Sequence, residues 1–217
     1  ARGVPFDVEI TRTKITVPSV ESTIEGDIGY LKISQFSSDT GDLAKEAALN
    51  FKSKNVKGVI LDLRSNPGGY MDSAVELSGL WLDRGKVVVE QKKGNKVLSR
   101  QLAGGGNILN GIPTVVLINN GSASASEITA GALRDHKAAT LVGVKSFGKG
   151  SVQQVERLSG GAELKVTIAR WFTPSGKNID QQGIEPEIKV ENNDEDAAAK
   201  RDPQKDRAIQ LLRERLR

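Results

Sequence analysis

The sequence contains no cysteine and a single histidine, His136. The first absence excludes a thiol nucleophile, a disulfide framework and a cysteine-type zinc site, and it fits any compartment. The second excludes histidine-rich metal centres. Aromatic residues make up only 4% of the chain and are not interleaved with basic runs, so no base-stacking surface is expected. Lys and Arg outnumber Asp and Glu by 31 to 27, with the two signs interspersed. That field is too mild to argue for nucleic acid. No apolar run approaches the roughly 20 residues that a membrane-crossing helix needs. The sequence begins at Ala1 without a signal-peptide pattern and reads as a processed or trimmed piece. What is left is a 217-residue chain, long enough for one substantial core with or without a small appendage.

The most informative stretch runs from Pro113 to Leu133. Thr114-Val115-Val116-Leu117-Ile118 is apolar and β-branched and reads as a buried strand. Asn119-Asn120-Gly121 is turn chemistry that ends it. Three serines spaced by alanines come next, Ser122, Ser124 and Ser126, and then a helix from Glu127. A hydroxyl at a strand-to-helix turn lies among free backbone N–H groups at the positive end of the helix dipole. Ala123 and Ala125 leave room for a substrate backbone, as nucleophile elbows do. Ser124 is therefore a candidate nucleophile. Ser124-x-x-Glu127 is equally a capping box, in which the two side chains only satisfy helix N–H groups.

The rest of the chain alternates strands, turns and helices. Residues 1–25 read as extended, with Phe6, Val8, Ile10, Ile15 and Val17 alternating and Pro18 as a break. Ile28 to Ile33 is a strand. A helix comes after it, with Leu43, Ala44, Ala47, Ala48 and Phe51 at helical spacing. Gly58 to Leu63 is a second strand, ending in Arg64-Ser65-Asn66-Pro67-Gly68-Gly69 before a helix over Met71–Trp81. The two glycines suit an oxyanion hole, which needs backbone N–H groups close to the substrate carbonyl, or simply a turn with unusual dihedrals. Hairpins are expected over Val87–Ser99, around Gly94-Asn95, and over Ser151–Arg170, around Ser159-Gly160-Gly161. Gly104-Gly105-Gly106 is a connector. Thr140 to Gly143 is another strand, Asn192 to Asp196 an acidic solvated run, and Asp202 to Arg217 a terminal amphipathic helix. Repeated strand-plus-helix units with intervening hairpins make an α/β fold. Both the serine turn and the glycine turn fall at carboxyl ends of strands, where open α/β sheets place ligands.

A serine hydroxyl needs a neighbouring base. His136 is 12 residues beyond Ser124, at the far end of the same helix and ~15 Å or more away at 1.5 Å per residue. Its expected role is favouring the helix C-terminus, so a Ser-His-Asp triad is not expected. Lys149 is the better base. It lies between Gly148 and Gly150, which leave space around it, and leads into a strand on which Lys149, Ser151 and Gln153 share a face. The Gln153 carbonyl then suits orienting the amine. A lysine base must be neutral, which requires burial to lower its pKa from ~10.4 to about 7–8, at a cost of about 4 kcal/mol. An exposed lysine in a glycine turn is the plain alternative. Gly143-x-x-x-x-Gly148-Lys149 also approaches a P-loop, but Gly150 stands where Ser or Thr is needed, and a strand comes next instead of a helix.

Three strings in this order resemble the carboxyl-terminal processing proteases, or tail-specific proteases: Leu61-Asp62-Leu63-Arg64-Ser65-Asn66-Pro67-Gly68-Gly69, Asn120-Gly121-Ser122-Ala123-Ser124-Ala125-Ser126-Glu127-Ile128 and Phe147-Gly148-Lys149-Gly150-Ser151-Val152-Gln153. The resemblance covers nearly the whole chain, including Thr173-Pro174-Ser175-Gly176 and Gly183-Ile184-Glu185-Pro186. It implies a Ser/Lys endopeptidase that cleaves proteins near their C-termini through an acyl-enzyme, on a ClpP/crotonase-like α/β core, with no metal or cofactor. On this resemblance Ser124 is the nucleophile, Lys149 the base and Gln153 its orienting partner. The oxyanion donors are the Ala125 N–H and that of Gly68 or Gly69, and Asp135 is a supporting acid.

Members usually carry a PDZ domain, and Arg2 to Ile15 resembles the segment just after that domain. The implied organisation is an extended segment (1–25) after a missing PDZ domain, a protease core (26–190), and an acidic linker with a C-terminal amphipathic helix (191–217). The implied partner is a protein or peptide with an accessible C-terminal tail. The terminal helix is expected to pack on its own core, with homo-oligomerisation as the other use of it. The family works outside the cytoplasm, in periplasm, cell envelope or lumen. The alternative from another class is a catalytically silent crotonase-like binding or scaffold domain.

Overall fold

A computed structural model of the chain describes residues 18–216. The first half runs β1 (Val20–Glu25), β2 (Ile28–Ile33), α1 (Thr40–Ser53), β3 (Gly58–Asp62), α2 (Met71–Ser78), β4 (Val87–Lys93), β5 (Lys96–Leu102) and β6 (Thr114–Ile118). The second half runs α3 (Ala125–Asp135), β7 (Thr140–Gly143), β8 (Ser151–Arg157), β9 (Glu163–Phe172), β10 (Ile188–Lys189), α4 (Asp194–Ala198) and α5 (Pro203–Arg215).

Six strands form the main sheet in the order β1-β2-β3-β6-β7-β10. Only β1 is antiparallel to its neighbour; the rest are parallel. The central strands GVILD and TVVLI are buried at every position. Both faces of a parallel sheet are covered, so such strands read as unbroken apolar runs and not as alternation. One face meets α1, α2 and α3. Here Ala44, Ala47, Ala48 and Phe51 of α1 form a stripe at helical spacing in a cluster with Leu61, Val116, Leu77 and Leu133. The other face meets α5, whose Ala208, Leu211 and Leu212 pack on Ile60, Val115, Leu117 and Val142. Burying each of those leucines contributes about 2 kcal/mol toward seating the terminal helix on this face.

A second, antiparallel sheet has the order β5-β4-β9-β8. Its two hairpins are those expected from the glycine turns. The sheets differ in burial: β8 and most of β9 are exposed on both faces. Two short elements depart from the sequence reading. The acidic run over 192–196 contributes to α4, with Asp196 accepting from the Asn193 N–H, and β10 adds a two-residue parallel edge beside β7. The expected extended segment begins at β1 within the described residues; Phe6, Val8, Ile10, Ile15 and Val17 lie outside them. No helix among the described residues is long and apolar enough to cross a membrane.

Candidate active site

The serine turn is an elbow. Ser124 has φ 56° and ψ −114°, a positive-φ conformation that costs a non-glycine residue about 1–3 kcal/mol. Such strain persists only where the surroundings over-determine it, and here they do. The Ala123 N–H donates to Asn66 O at 3.0 Å, and the Ser124 N–H donates to Glu127 Oε2 at 2.9 Å. The latter is the firm half of the capping box, so the cap and the elbow are one structure.

The three serines then separate by chemistry. Ser122 Oγ donates to Leu63 O at 2.8 Å, and Ser126 Oγ donates to Asn66 O at 2.9 Å. Both are fully buried, and their hydroxyls are spent on joining the elbow to the loop after β3. Ser124 alone is partly exposed.

Glu127 is the residue whose reach the sequence understates. Its side chain is fully buried and accepts four hydrogen bonds. Oε1 takes the Ser146 hydroxyl at 2.5 Å and the Gly148 N–H at 2.7 Å. Oε2 takes the Ser124 N–H at 2.9 Å and the Lys149 N–H at 2.8 Å. The backbone nitrogens of Ser124 and Lys149 therefore lie within two hydrogen-bond lengths of each other, although 25 positions apart in sequence. The only trace of this in the sequence is the third-position Glu of the capping box.

Gly148 and Gly150 do not open space around Lys149, as the sequence suggested. They let another backbone come close. A Cβ on Gly148 would stand 3.0 Å from Gly183 N, and one on Gly150 would collide with Asp180 N. The segment 179–183 thus holds the lysine loop from behind. The Lys149 side chain is exposed. The described residues do not bury it, and the loop leads into β8, the outermost strand of its sheet among them. Gln153, on β8 opposite Thr167, is also exposed, and no hydrogen bond joins it to Lys149 among the described residues.

The glycine turn stands against the elbow. A Cβ on Gly68 would meet Ser124 Cβ at 2.7 Å and Ala125 N at 3.0 Å, so only glycine permits this approach. The Gly68 N–H donates to Asn66 Oδ1 at 2.9 Å and is spent. Gly69, at φ +145° and exposed, has an N–H with no partner among the described residues, as does Ala125 at the first turn of α3. Asn66 anchors the turn, its Nδ2 donating to Ile33 O at 2.7 Å. Arg64 fixes the strand end before it, bridging Asp62 at 2.6 Å and Asp202, the N-cap of α5, at 2.8 Å.

Asp135 and His136 lie at the other end of α3, about 15 Å from the elbow. Asp135 Oδ2 accepts the Ser175 N–H at 2.9 Å, and Oδ1 pairs with Arg134. Burial pushes its carboxyl up, but hydrogen bonds from Thr173, Ser175 and Arg134 outweigh this and hold it below the usual range. It braces the 173–176 turn. His136 Nε2 lies 2.7 Å from Val87 O and caps the helix.

Comparison with known proteins decides the family. The model for peptidase family S41 matches residues 27–190. The chain belongs to peptidase family S41. A carboxy-terminal-processing protease of Bartonella bacilliformis is 44% identical over 191 residues, which is 86% of this chain and 44% of that protein. A probable CtpA-like serine protease of Staphylococcus aureus is 39% identical over 186 residues, 85% of this chain and 38% of that protein. A solved photosystem II D1 C-terminal processing protease matches with a TM-score of 0.76 at 34% identity, covering 83% of this chain and 50% of the other. The fold is thus the ClpP/crotonase-like α/β core of S41 peptidases. The chain spans about two fifths of the length of the curated relatives it matches.

Proposed function

We propose that this chain is the catalytic core of a serine endopeptidase that cleaves proteins near their C-termini. The observation that carries this is the elbow: a serine held in a strained conformation, its two sister hydroxyls spent, its peptide hung from the same carboxylate oxygen as that of Lys149. Ser124 Oγ attacks the substrate carbonyl carbon while its proton passes to Lys149 Nζ. The developing oxyanion is received by the Ala125 and Gly69 N–H groups, Gly68 serving the approach and not the donation. Lys149 returns the proton to the leaving amine, the C–N bond breaks, and an ester to Ser124 remains. Water, deprotonated by the same amine, hydrolyses that ester. Gln153 orients the amine, and Asp135 braces the fold.

The exposure of Lys149 supports a site that the substrate completes. An extended polypeptide paired on β8, the outermost strand of its sheet among the described residues, covers the lysine and excludes water from it. The natural ligand is then a protein or peptide tail, met outside the cytoplasm as the family resemblance implies. The test is cleavage of an unfolded protein substrate. Ser124→Ala and Lys149→Ala should both abolish it with melting curves unchanged. Substantial proteolysis by purified Lys149→Ala protein would remove the lysine from the mechanism.

A further inference from the structure

We infer that Tyr70 and Phe147 form an apolar subsite astride the scissile bond, Tyr70 gripping the residue on the acyl side and Phe147 the residue on the leaving side. The inference rests on the serine-peptidase reading above. Among the described residues these are the two most exposed large apolar side chains, at 64% and 66%. Neither is a loose tip. The Tyr70 N–H donates to Phe36 O at 2.8 Å, and Tyr70 is the residue from which α2 starts. The Phe147 N–H donates to Ser122 O at 3.0 Å, and its neighbours Ser146 and Gly148 are both bound to Glu127. Each ring is thus presented to solvent from a pinned backbone, one from each of the two loops that flank the elbow. Isolated exposed apolar residues are ordinary, but two aromatics on pinned backbones, one on the loop that touches Ser124 and one on the loop that shares Glu127 with it, mark a binding surface.

The sides are set by the chemistry of the neighbours. Tyr70 comes directly after Gly69, whose N–H, unpartnered among the described residues, on the mechanism proposed above receives the carbonyl oxygen of the residue that becomes the acyl group. Phe147 lies two residues before Lys149, whose amine must reach the departing nitrogen. A chain crossing Ser124 therefore passes between the rings with its acyl-side residue nearer Tyr70. Aliphatic or aromatic residues on either side of the bond gain contact area there, whereas a charged residue gives up hydration for no partner. The substrate class is a polypeptide with apolar residues flanking the cleaved bond.

Both rings are exposed, so Tyr70→Ala and Phe147→Ala should fold with unchanged melting temperatures. The test is kcat/KM on quenched peptides that carry Ala, Leu, Phe or Asp at either flanking position. Tyr70→Ala should lower the preference for Leu or Phe over Asp by about tenfold on the acyl side alone, and Phe147→Ala should do so on the leaving side alone. On esters with one small alcohol as leaving group, the Tyr70→Ala effect should persist and the Phe147→Ala effect should vanish. Uniform loss across the panel, unchanged selectivity or exchanged sides would overturn the inference. Labelling of Ser124 by a small serine-reactive acylating probe separates the two claims. A labelled protein with unchanged selectivity defeats the subsite alone, and a wild-type protein that stays unlabelled at every pH where it is folded defeats the serine reading beneath it.

Discussion

The two sides of Glu127 are built in opposite ways. On one side the elbow is strained and tied down: Ser122 and Ser126 are fully enclosed, and Asn66 ties the glycine turn to the serine turn. On the other side Lys149 and Gln153 stand in solvent on the approach to an edge strand. One carboxylate holds both backbones, yet only the Ser124 side is enclosed by neighbouring turns. On the proposed mechanism, the backbone around Ser124 is fixed in advance, and covering Lys149 is left to whatever lies on β8. A site divided in this way has a rigid half that resists substitution and an open half that substitution alters only in function.

That contrast can be broken in several places. The largest effect belongs to Ser124. Ser124→Ala should reduce cleavage by more than about 10³-fold. Ser124→Gly should be equally inactive yet more stable by about 1 kcal/mol, because glycine adopts φ 56° without a Cβ penalty. A melting temperature that falls in Ser124→Gly would mean that the elbow is not strained. Next comes Glu127→Ala, which strands the Ser146 hydroxyl and three backbone N–H groups. It should destabilise the fold by about 3 kcal/mol in urea titrations, as unsatisfied buried donors do.

A smaller effect belongs to acid. Burial raises the carboxyls of Asp135 and Asp202, but hydrogen bonds from Thr173 and Ser175 to the first, and from Arg64 to the second, hold both below the ordinary aspartate value of 3.8. A depressed folded pKa means stability that is fully present above 3.8 and lost as pH falls through the lower folded values. Melting temperature should hold down to about pH 5 and drop below about pH 4, less steeply in Asp135→Asn. The smallest effect on stability belongs to Gln153→Ala, within about 0.5 kcal/mol, accompanied by lower kcat. If Gln153→Ala destabilised the protein as much as Glu127→Ala does, the two halves would not differ as described.

Much of the fold and half of the site are legible in the residues themselves. The unbroken apolar runs of β3 and β6 announce covered parallel strands, and the turns after them place Ser124 and Gly68 at carboxyl ends. Those signals are local, since they depend on residues within one element. What the sequence conceals is long-range. Glu127 shows in it as a cap, because its bonds to Ser146, Gly148 and Lys149 join residues about 20 positions away. The Arg64–Asp202 pair spans 138 positions, and the approach of Gly150 to Asp180 depends on how a later loop folds back. The exposure of Lys149 belongs to the same class: glycine neighbours suggest room or close approach equally well, and only packing decides.

The central claim is that Ser124 and Lys149 act together. Intact-mass and peptide-map analysis after treatment with a serine-reactive acylating probe, across a range of pH, tests it most directly. One adduct at Ser124, forming faster as pH rises and absent in Lys149→Ala, is the predicted result. An adduct on another serine, or labelling of Lys149→Ala at the wild-type rate, would contradict it.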